Sequence, residues 1–309
     1  MPRRASAGRS MSAVVTAAVL VTAPCSAIWV TSGTPIPPGP RGVDTSEFNH
    51  GDGDEPIDWD RVATRNAFVF MKATQGTQYE DPWFAEDLAG ASRTSLYRAP
   101  YHFFDSQSPG DAEAQAAHFV RTARAAGYTG RNPGELPPVL DAESGWRHHR
   151  PSCPPGTDAR QLATFLGAVE EAFGIKPIVY TEYSFAVSCL AGNAAVFRGH
   201  LQWLASWGAK PRPLPGTDQP WTFWQYTDQA QVPGISDDVD RSVYRGTLTE
   251  LRALAGVTGF ARPEAAPRRL GEPLRPVPVR DPAVGRALPK RSTGTASPKG
   301  RRAATGNRV

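Results

Sequence analysis

The chain has little of what several catalytic chemistries require. It carries three cysteines and six histidines in 309 residues, and no Ser, Cys and His spacing suggests a nucleophilic triad. No phosphate-cradling glycine loop or dinucleotide fingerprint occurs, so no cofactor is indicated. His148 and His149 sit between Arg147 and Arg150. Adjacent side chains diverge and no third ligand has a persuasive spacing, so this stretch reads as a solvated loop and no metal site is expected. No long period marks short structural repeats. Of the cysteines, Cys25 falls in an N-terminal segment of its own, leaving Cys153 and Cys189. An even pair is compatible with one disulfide in an oxidising compartment, and from sequence alone also with two unrelated free thiols.

The two ends differ from the middle. Residues 1–27 run from Arg3, Arg4 and Arg9 through an apolar stretch to Cys25-Ser26-Ala27, the pattern of a secretory signal cleaved after Ala27. The apolar stretch is also about one bilayer span long, so a membrane association is expected only if this segment stays uncleaved. A Gly/Pro-rich linker occupies 28–40. At the other end, 257–309 is rich in Pro, Arg, Gly, Ser and Thr with no helical or strand period, and reads as a disordered basic tail. From Ala261 onward it holds twelve Lys/Arg against three Asp/Glu. That excess of nine, with three N-terminal arginines and a whole-chain charge of +4, leaves the middle at −8. The basic balance therefore belongs to the termini. A polycationic tail can cling to acidic wall polymers, lipid or nucleic acid by charge alone, without a specific nucleic-acid partner, or serve only as a spacer.

Between 41 and 256, strand-like and helix-like segments alternate. Strands are expected at 41–46, 67–72, 96–103, 137–143, 176–181, 201–206, 221–226 and near Val239. Helices are expected around 83–92, 109–126, 162–173 and 247–254. Alternation of this kind predicts a mostly parallel sheet covered by helices. Roughly eight strands in about 215 residues predict a closed or distorted barrel. Asp44, Lys72, His102, Asp141, Glu143, Tyr180, Trp203, Gln225 and Asp240 fall at or near the ends of these strands, where barrel enzymes assemble their sites.

The stretch Pro137-Pro138-Val139-Leu140-Asp141-Ala142-Glu143 is the chemical centre. On a strand, Asp141 and Glu143 project to the same face with Cα atoms roughly 6 to 7 Å apart. Two carboxyls at that range do not ionise independently. One holds its proton while the other stays anionic, the division of labour that glycosidic cleavage requires. Acids that cap a helix or pair with arginines would give the same residues a structural role.

Val43-Asp44-Thr45-Ser46, Ile57-Asp58-Trp59, Lys72-Ala73-Thr74-Gln75-Gly76, Tyr79 with Asp81 and Phe84, Tyr101-His102-Phe103, Pro138 to Glu143, Ile178-Val179-Tyr180-Thr181, Trp224-Gln225-Tyr226 and Val239-Asp240 together resemble the glycoside hydrolase family 25 muramidases, the Chalaropsis-type lysozymes. Their order and spacing carry the resemblance, which covers nearly all of 41–256.

The resemblance implies an α/β fold, a flattened and irregular TIM-like (β/α) barrel with disordered extensions. The implied activity is hydrolysis of the β-1,4 bond between N-acetylmuramic acid and N-acetylglucosamine in the glycan strands of peptidoglycan. By position, Glu143 would be the general acid and then base, and Asp141 would stabilise the cationic sugar or orient the substrate's N-acetyl group. Asp44 and Asp240 would flank the pair. Lys72, Gln75, Tyr101, His102, Tyr180, Trp203, Trp224 and Gln225 would contact sugar, although aromatics here also fill cores and His102 also fits a role fixing a neighbouring group.

The sequence departs from the family pattern where Phe48-Asn49-His50-Gly51 replaces Gln-Gly, where Gln75 replaces a glutamate, and at Arg98-Ala99-Pro100. The expected protein is a secreted, monomeric lysozyme; a catalytically weak peptidoglycan-binding module and a surface protein acting through its tail are the alternatives.

Overall fold

The computed structural model describes residues 34–51, 53–105, 111–147 and 150–255. The expected signal segment, the basic tail and the His148-His149 pair lie outside them. Eleven strands alternate with six helices among the described residues: β1 (Arg41–Thr45), α1 (Trp59–Ala63), β2 (Phe68–Gln75), β3 (Tyr79–Glu80), α2 (Phe84–Ser92), β4 (Tyr97–Phe103), α3 (Asp111–Ala125), β5 (Val139–Asp141), β6 (Gly145–Arg147), β7 (Arg150–Ser152), α4 (Ala159–Phe173), β8 (Ile178–Glu182), α5 (Tyr183–Ser188), β9 (Gln202–Ala205), β10 (Phe223–Ala230), β11 (Val239–Tyr244) and α6 (Leu248–Leu254).

The sheet runs β1-β11-β10-β9-β8-β5-β4-β2-β3, and an additional parallel pairing of β1 with β2 closes it into an eight-stranded barrel with β3 attached outside the ring. All neighbours in the ring pair in parallel except β11, which is antiparallel to both β10 and β1. The last strand therefore enters from the rim at which its neighbours finish. Asp240 reaches that rim from the start of its strand, whereas Asp44 and Asp141 reach it from the ends of theirs.

Strand alternation sorts the side chains into two cores. Inward positions Phe68, Phe70, Ala99, Val139, Ile178, Tyr180, Trp203 and Phe223 fill the barrel. Phe70 lies 4.3 Å from Trp203 and 5.2 Å from Phe223, ring centroid to centroid. The intervening positions, among them Val43, Val69, Leu140, Val179, Leu204, Trp224 and Val243, face the helices. A Cβ at Gly42 would lie 2.3 Å from the Phe68 ring, so only glycine lets β1 close on β2.

Helix α4 shows how local sequence sets an element. Asp158 caps it by accepting from Arg160 and Gln161 N–H, and Leu162, Phe165, Leu166, Val169 and Phe173 form its buried stripe. Gly174 ends it in the left-handed conformation at φ 65°. A disulfide joins Cys153, just after the β6–β7 hairpin, to Cys189 at the end of α5.

Candidate active site

Where the strands deliver their C-terminal ends, a cleft of about 430 Å³ opens. It is lined by Asp44, Glu47, Phe48, Asn49, Lys72, Gln75, Tyr79, Tyr101, Phe103, Asp141, Glu143, Tyr180, Trp203, Asp238 and Asp240, with Thr45 and Ser46 beside them. Asp141 and Glu143 share this cleft. Strand β5 ends at Asp141, but Ala142 N–H still donates to Tyr180 O, and Ala142 is buried in the helix-facing core. The inward, outward, inward order persists for two residues past the strand, which brings both carboxyls to one side. Ser144 N–H then donates to the Glu182 carboxylate at 3.0 Å, fixing the chain as it leaves the rim.

Asp141 is 7% exposed, and burial, reinforced by the nearby Glu143 charge, pushes its carboxyl well above the usual range, with Lys72 opposing. Its Oδ1 is buried and meets no hydrogen-bond partner among the described residues. In the free cleft Asp141 is therefore biased toward its neutral form. The reason is desolvation: β5 carries Asp141 into the barrel mouth.

The opposite wall is an acid pair held by one amide. Asp44 and Asp240 are direct register partners across β1 and β11. Gln225 Nε2 donates to Asp44 Oδ1 and Oδ2 at 3.1 and 3.2 Å and to Asp240 Oδ2 at 3.2 Å. Its Oε1 accepts from Tyr180 at 3.0 Å and from Trp207 Nε1 at 3.2 Å. Burial and the surrounding carboxylates push the Tyr180 phenol well above its ordinary range, so its hydroxyl keeps the proton it donates. Gln225 thus organises the wall from beneath.

Lys72 is the sole cation among the described cleft-lining residues, against six acidic side chains. Burial draws its ammonium below the ordinary lysine range, with Asp141 and Asp81 opposing. A register shift in β2 between Lys72 and Thr74 turns both Lys72 and Gln75 inward, and Lys72 Nζ donates to Gln75 Oε1 at 2.8 Å. The bulge sends Thr74 outward to His102.

Two expected sugar contacts are placed elsewhere. His102 is fully buried, bonded through Nδ1 to Thr74 at 2.7 Å and through Nε2 to Gln115 at 3.0 Å, and stacked on Phe165. Burial draws its imidazole down to about 3, so it is neutral. Trp224 is buried in the helix-facing core and donates to Ser206 O at 2.8 Å. Each is the strand neighbour of an inward residue, Tyr101 or Gln225, and must point the other way. Trp203 lines the cleft but is largely buried, its indole donating to Ser242 at 3.0 Å, so it forms floor.

Sequence reasoning named none of Glu47, Phe48, Asn49, Asp238 or Glu182 as site residues. They lie in the turn after β1, before β11 and at the end of β8. Glu182 follows Tyr180 by two residues, so strand period alone points it at the rim. Asp81 N-terminal to α2 anchors the turn, accepting from Glu47 N–H at 2.8 Å and Trp83 N–H at 3.0 Å. No group of metal-ligating side chains occurs among the described residues, and no helix there is long and apolar enough to cross a membrane.

A closed α/β barrel with paired carboxyls in an acidic cleft at its strand ends defines a glycoside hydrolase. The family model of Glycosyl hydrolases family 25 matches residues 43–235, and the chain belongs to that family. It is 31% identical over 228 residues to Lysozyme M1 of Streptomyces globisporus, covering 71% of this chain and 72% of the relative. It is 30% identical over 198 residues to the N,O-diacetylmuramidase of Chalaropsis sp, covering 61% and 87%. The solved bacterial lysozyme from Streptomyces coelicolor superposes with a TM-score of 0.61 at 28% identity, covering 71% of this chain and 98% of that one.

Proposed function

We propose that this protein is a muramidase that cleaves the β-1,4 bond between N-acetylmuramic acid and N-acetylglucosamine in peptidoglycan, with Glu143 as general acid and base. The observation that carries the reading is the shared placement of Asp141 and Glu143 in an acidic cleft, with Asp141 desolvated and biased toward the neutral form. The membership of family 25 supports the bond type.

The pair acts as one titrating unit with a single mobile proton. In the free cleft burial favours the protonated form of Asp141. A bound sugar changes the balance: its acetamido N–H meets the unpartnered Asp141 Oδ1, and positive charge developing at the anomeric carbon favours an anion there. The proton then resides on Glu143, which passes it to the leaving glycosidic oxygen as the bond to the anomeric carbon breaks. Glu143 next takes a proton from the incoming water. Asp44 and Asp240, locked by Gln225, hold the negative potential that the cationic transition state requires. Tyr101, Phe103 and Tyr79 offer ring faces to the sugars, with Lys72 and Gln75 as polar contacts. The Cys153–Cys189 disulfide suits work outside the cytoplasm, in agreement with an exported chain.

Glu143→Gln tests the assignment. The variant should leave folding intact and lose clearing of a peptidoglycan suspension; retained clearing would refute the role of Glu143.

A further inference from the structure

A second cavity, of about 320 Å³, lies at the end of the barrel opposite the cleft. Its walls come from residues at the starts of β2 and β4, namely Asn66, Ala67, Tyr97 and Arg98, from the turn after α2 around Thr94, and from Arg252 of α6. Arg98 is 8% exposed, yet its guanidinium makes no hydrogen bond among the described residues. Its Nε is sealed from solvent and unpartnered. No carboxylate oxygen pairs with it within 4.0 Å among the described residues.

The nearest compensating charge is Glu135, but that carboxylate is already engaged. It accepts from Thr129 N–H and hydroxyl and from Asn132 N–H and amide at 2.9–3.1 Å. The backbone holds Arg98 in place from both sides, its N–H donating to Gly134 O and its carbonyl accepting from Leu136 N–H.

A buried arginine remains charged, because its pKa lies too far above neutrality for burial to discharge it. A buried guanidinium Nε without a partner is costly, and arginine is suited to gripping a planar pair of anionic oxygens.

We propose that this cavity is a binding site for a small oxyanion group, a carboxylate or a phosphate, with Arg98 as its anchoring ligand and Arg252 as a second cation on the wall. The site lies at the far end of the barrel from the carboxylate cleft and would let the domain hold an anionic component of the wall, a peptide carboxylate or a polymer phosphate, while the cleft engages glycan. The binding site itself stands apart from the muramidase reading, on which only the assignment of its ligand to the wall rests.

The test is calorimetric titration of the full chain with acetate, D-alanine, inorganic phosphate and glycerol phosphate, each against chloride at matched ionic strength. Saturable one-to-one binding of at least one probe supports the site. Preference for acetate and D-alanine assigns it to peptide carboxylates, and preference for the phosphates assigns it to a phosphate polymer. At ten times its dissociation constant the preferred probe should raise the folding constant about elevenfold.

Arg98→Met removes the charge at similar length and should weaken binding at least tenfold while leaving hydrolysis in the distant cleft unchanged. Should that variant not fold, the ¹⁵N shift of Arg98 Nε in the wild-type chain reports directly and must move saturably with the preferred probe. Absence of saturable binding by all four probes, undiminished affinity in a folded Arg98→Met, or an unmoved Arg98 Nε signal overturns the proposal.

Discussion

Asp44 and Asp240 face each other as register partners across an antiparallel strand pair, and one amide nitrogen, Gln225 Nε2, donates to both. Two carboxylates brought together by backbone pairing repel, and the shared donor is what lets both stay in the wall. The same amide oxygen collects the Tyr180 hydroxyl and the Trp207 indole. Gln225 is therefore the joint that ties three cleft-lining groups to Trp207.

Replacing Gln225 by Leu leaves two acids without their donor and two donors without their acceptor. We expect kcat/KM on peptidoglycan to fall about 10²-fold, comparable to the loss of one preorganised hydrogen-bonding group. Gln225→Glu adds a third carboxyl and should push the activity optimum toward acid, where that carboxyl is neutral. Steady-state turbidity assays across pH read both effects, and wild-type rates in either variant would remove Gln225 from the site.

Asp141 governs the pH profile in a second way. With the pair holding one mobile proton, the alkaline limb of kcat/KM marks loss of that last proton, delayed because it leaves two adjacent anions behind. Asp141→Asn removes the second charge, so Glu143 should ionise more easily. The alkaline limb should move about one pH unit toward acid, with residual activity reduced about 10²- to 10³-fold. An unmoved limb in the variant would mean that the two carboxyls do not titrate together.

Much of this was legible in strand period, which also separates the residues that miss the cleft. Asp44, Lys72, Asp141, Glu143, Tyr180 and Asp240 reach the cleft because each is an inward residue near a strand end, with Trp203 and Gln225 inward beneath them, and strand ends are readable from apolar runs. His102 and Trp224 sit beside inward residues, so alternation alone excludes them from the cleft. The bulge in β2 was not readable, because Lys72-Ala73-Thr74-Gln75 shows no alternation from which an extra residue could be counted. The turn carrying Glu47, Phe48 and Asn49 has no period at all, and only tertiary closure of β1 on β2 and β11 brings it over the cleft. The desolvation of Asp141 was equally hidden, since it depends on how deep the residue sits and not on its spacing from Glu143.

Asp81 makes stability depend on mild acid. Burial lifts its carboxyl from 3.8 to about 6 despite two backbone donors. Between those values the folded chain holds a proton that the unfolded chain has released, so folding is favoured as pH falls through this window. Above pH about 6 the bonus is gone, and its full size is at most about 3 kcal/mol. Urea midpoints measured from pH 7 to pH 4 should carry an upward contribution that Asp81→Asn lacks, and identical slopes in the two proteins would contradict the placement of Asp81.

The Cys153–Cys189 bridge closes a loop with a sequence separation of 36. Chain entropy alone gives that closure about 4 kcal/mol of stabilisation. A Cys153→Ser, Cys189→Ser double variant should lower the urea midpoint accordingly, and added reductant should lower the wild-type midpoint while leaving that of the double variant unchanged. Equal midpoints for oxidised and reduced wild type would show that the loop contributes nothing.

The central claim is that Glu143 and Asp141 cut one particular bond, and the fragments decide it. Purified peptidoglycan digested by the full chain and analysed by mass spectrometry after borohydride reduction should yield muropeptides ending in reduced N-acetylmuramic acid, and Glu143→Gln should release none. Fragments ending in reduced N-acetylglucosamine, or release of the muramic acid product undiminished in the Glu143→Gln protein, would contradict the account.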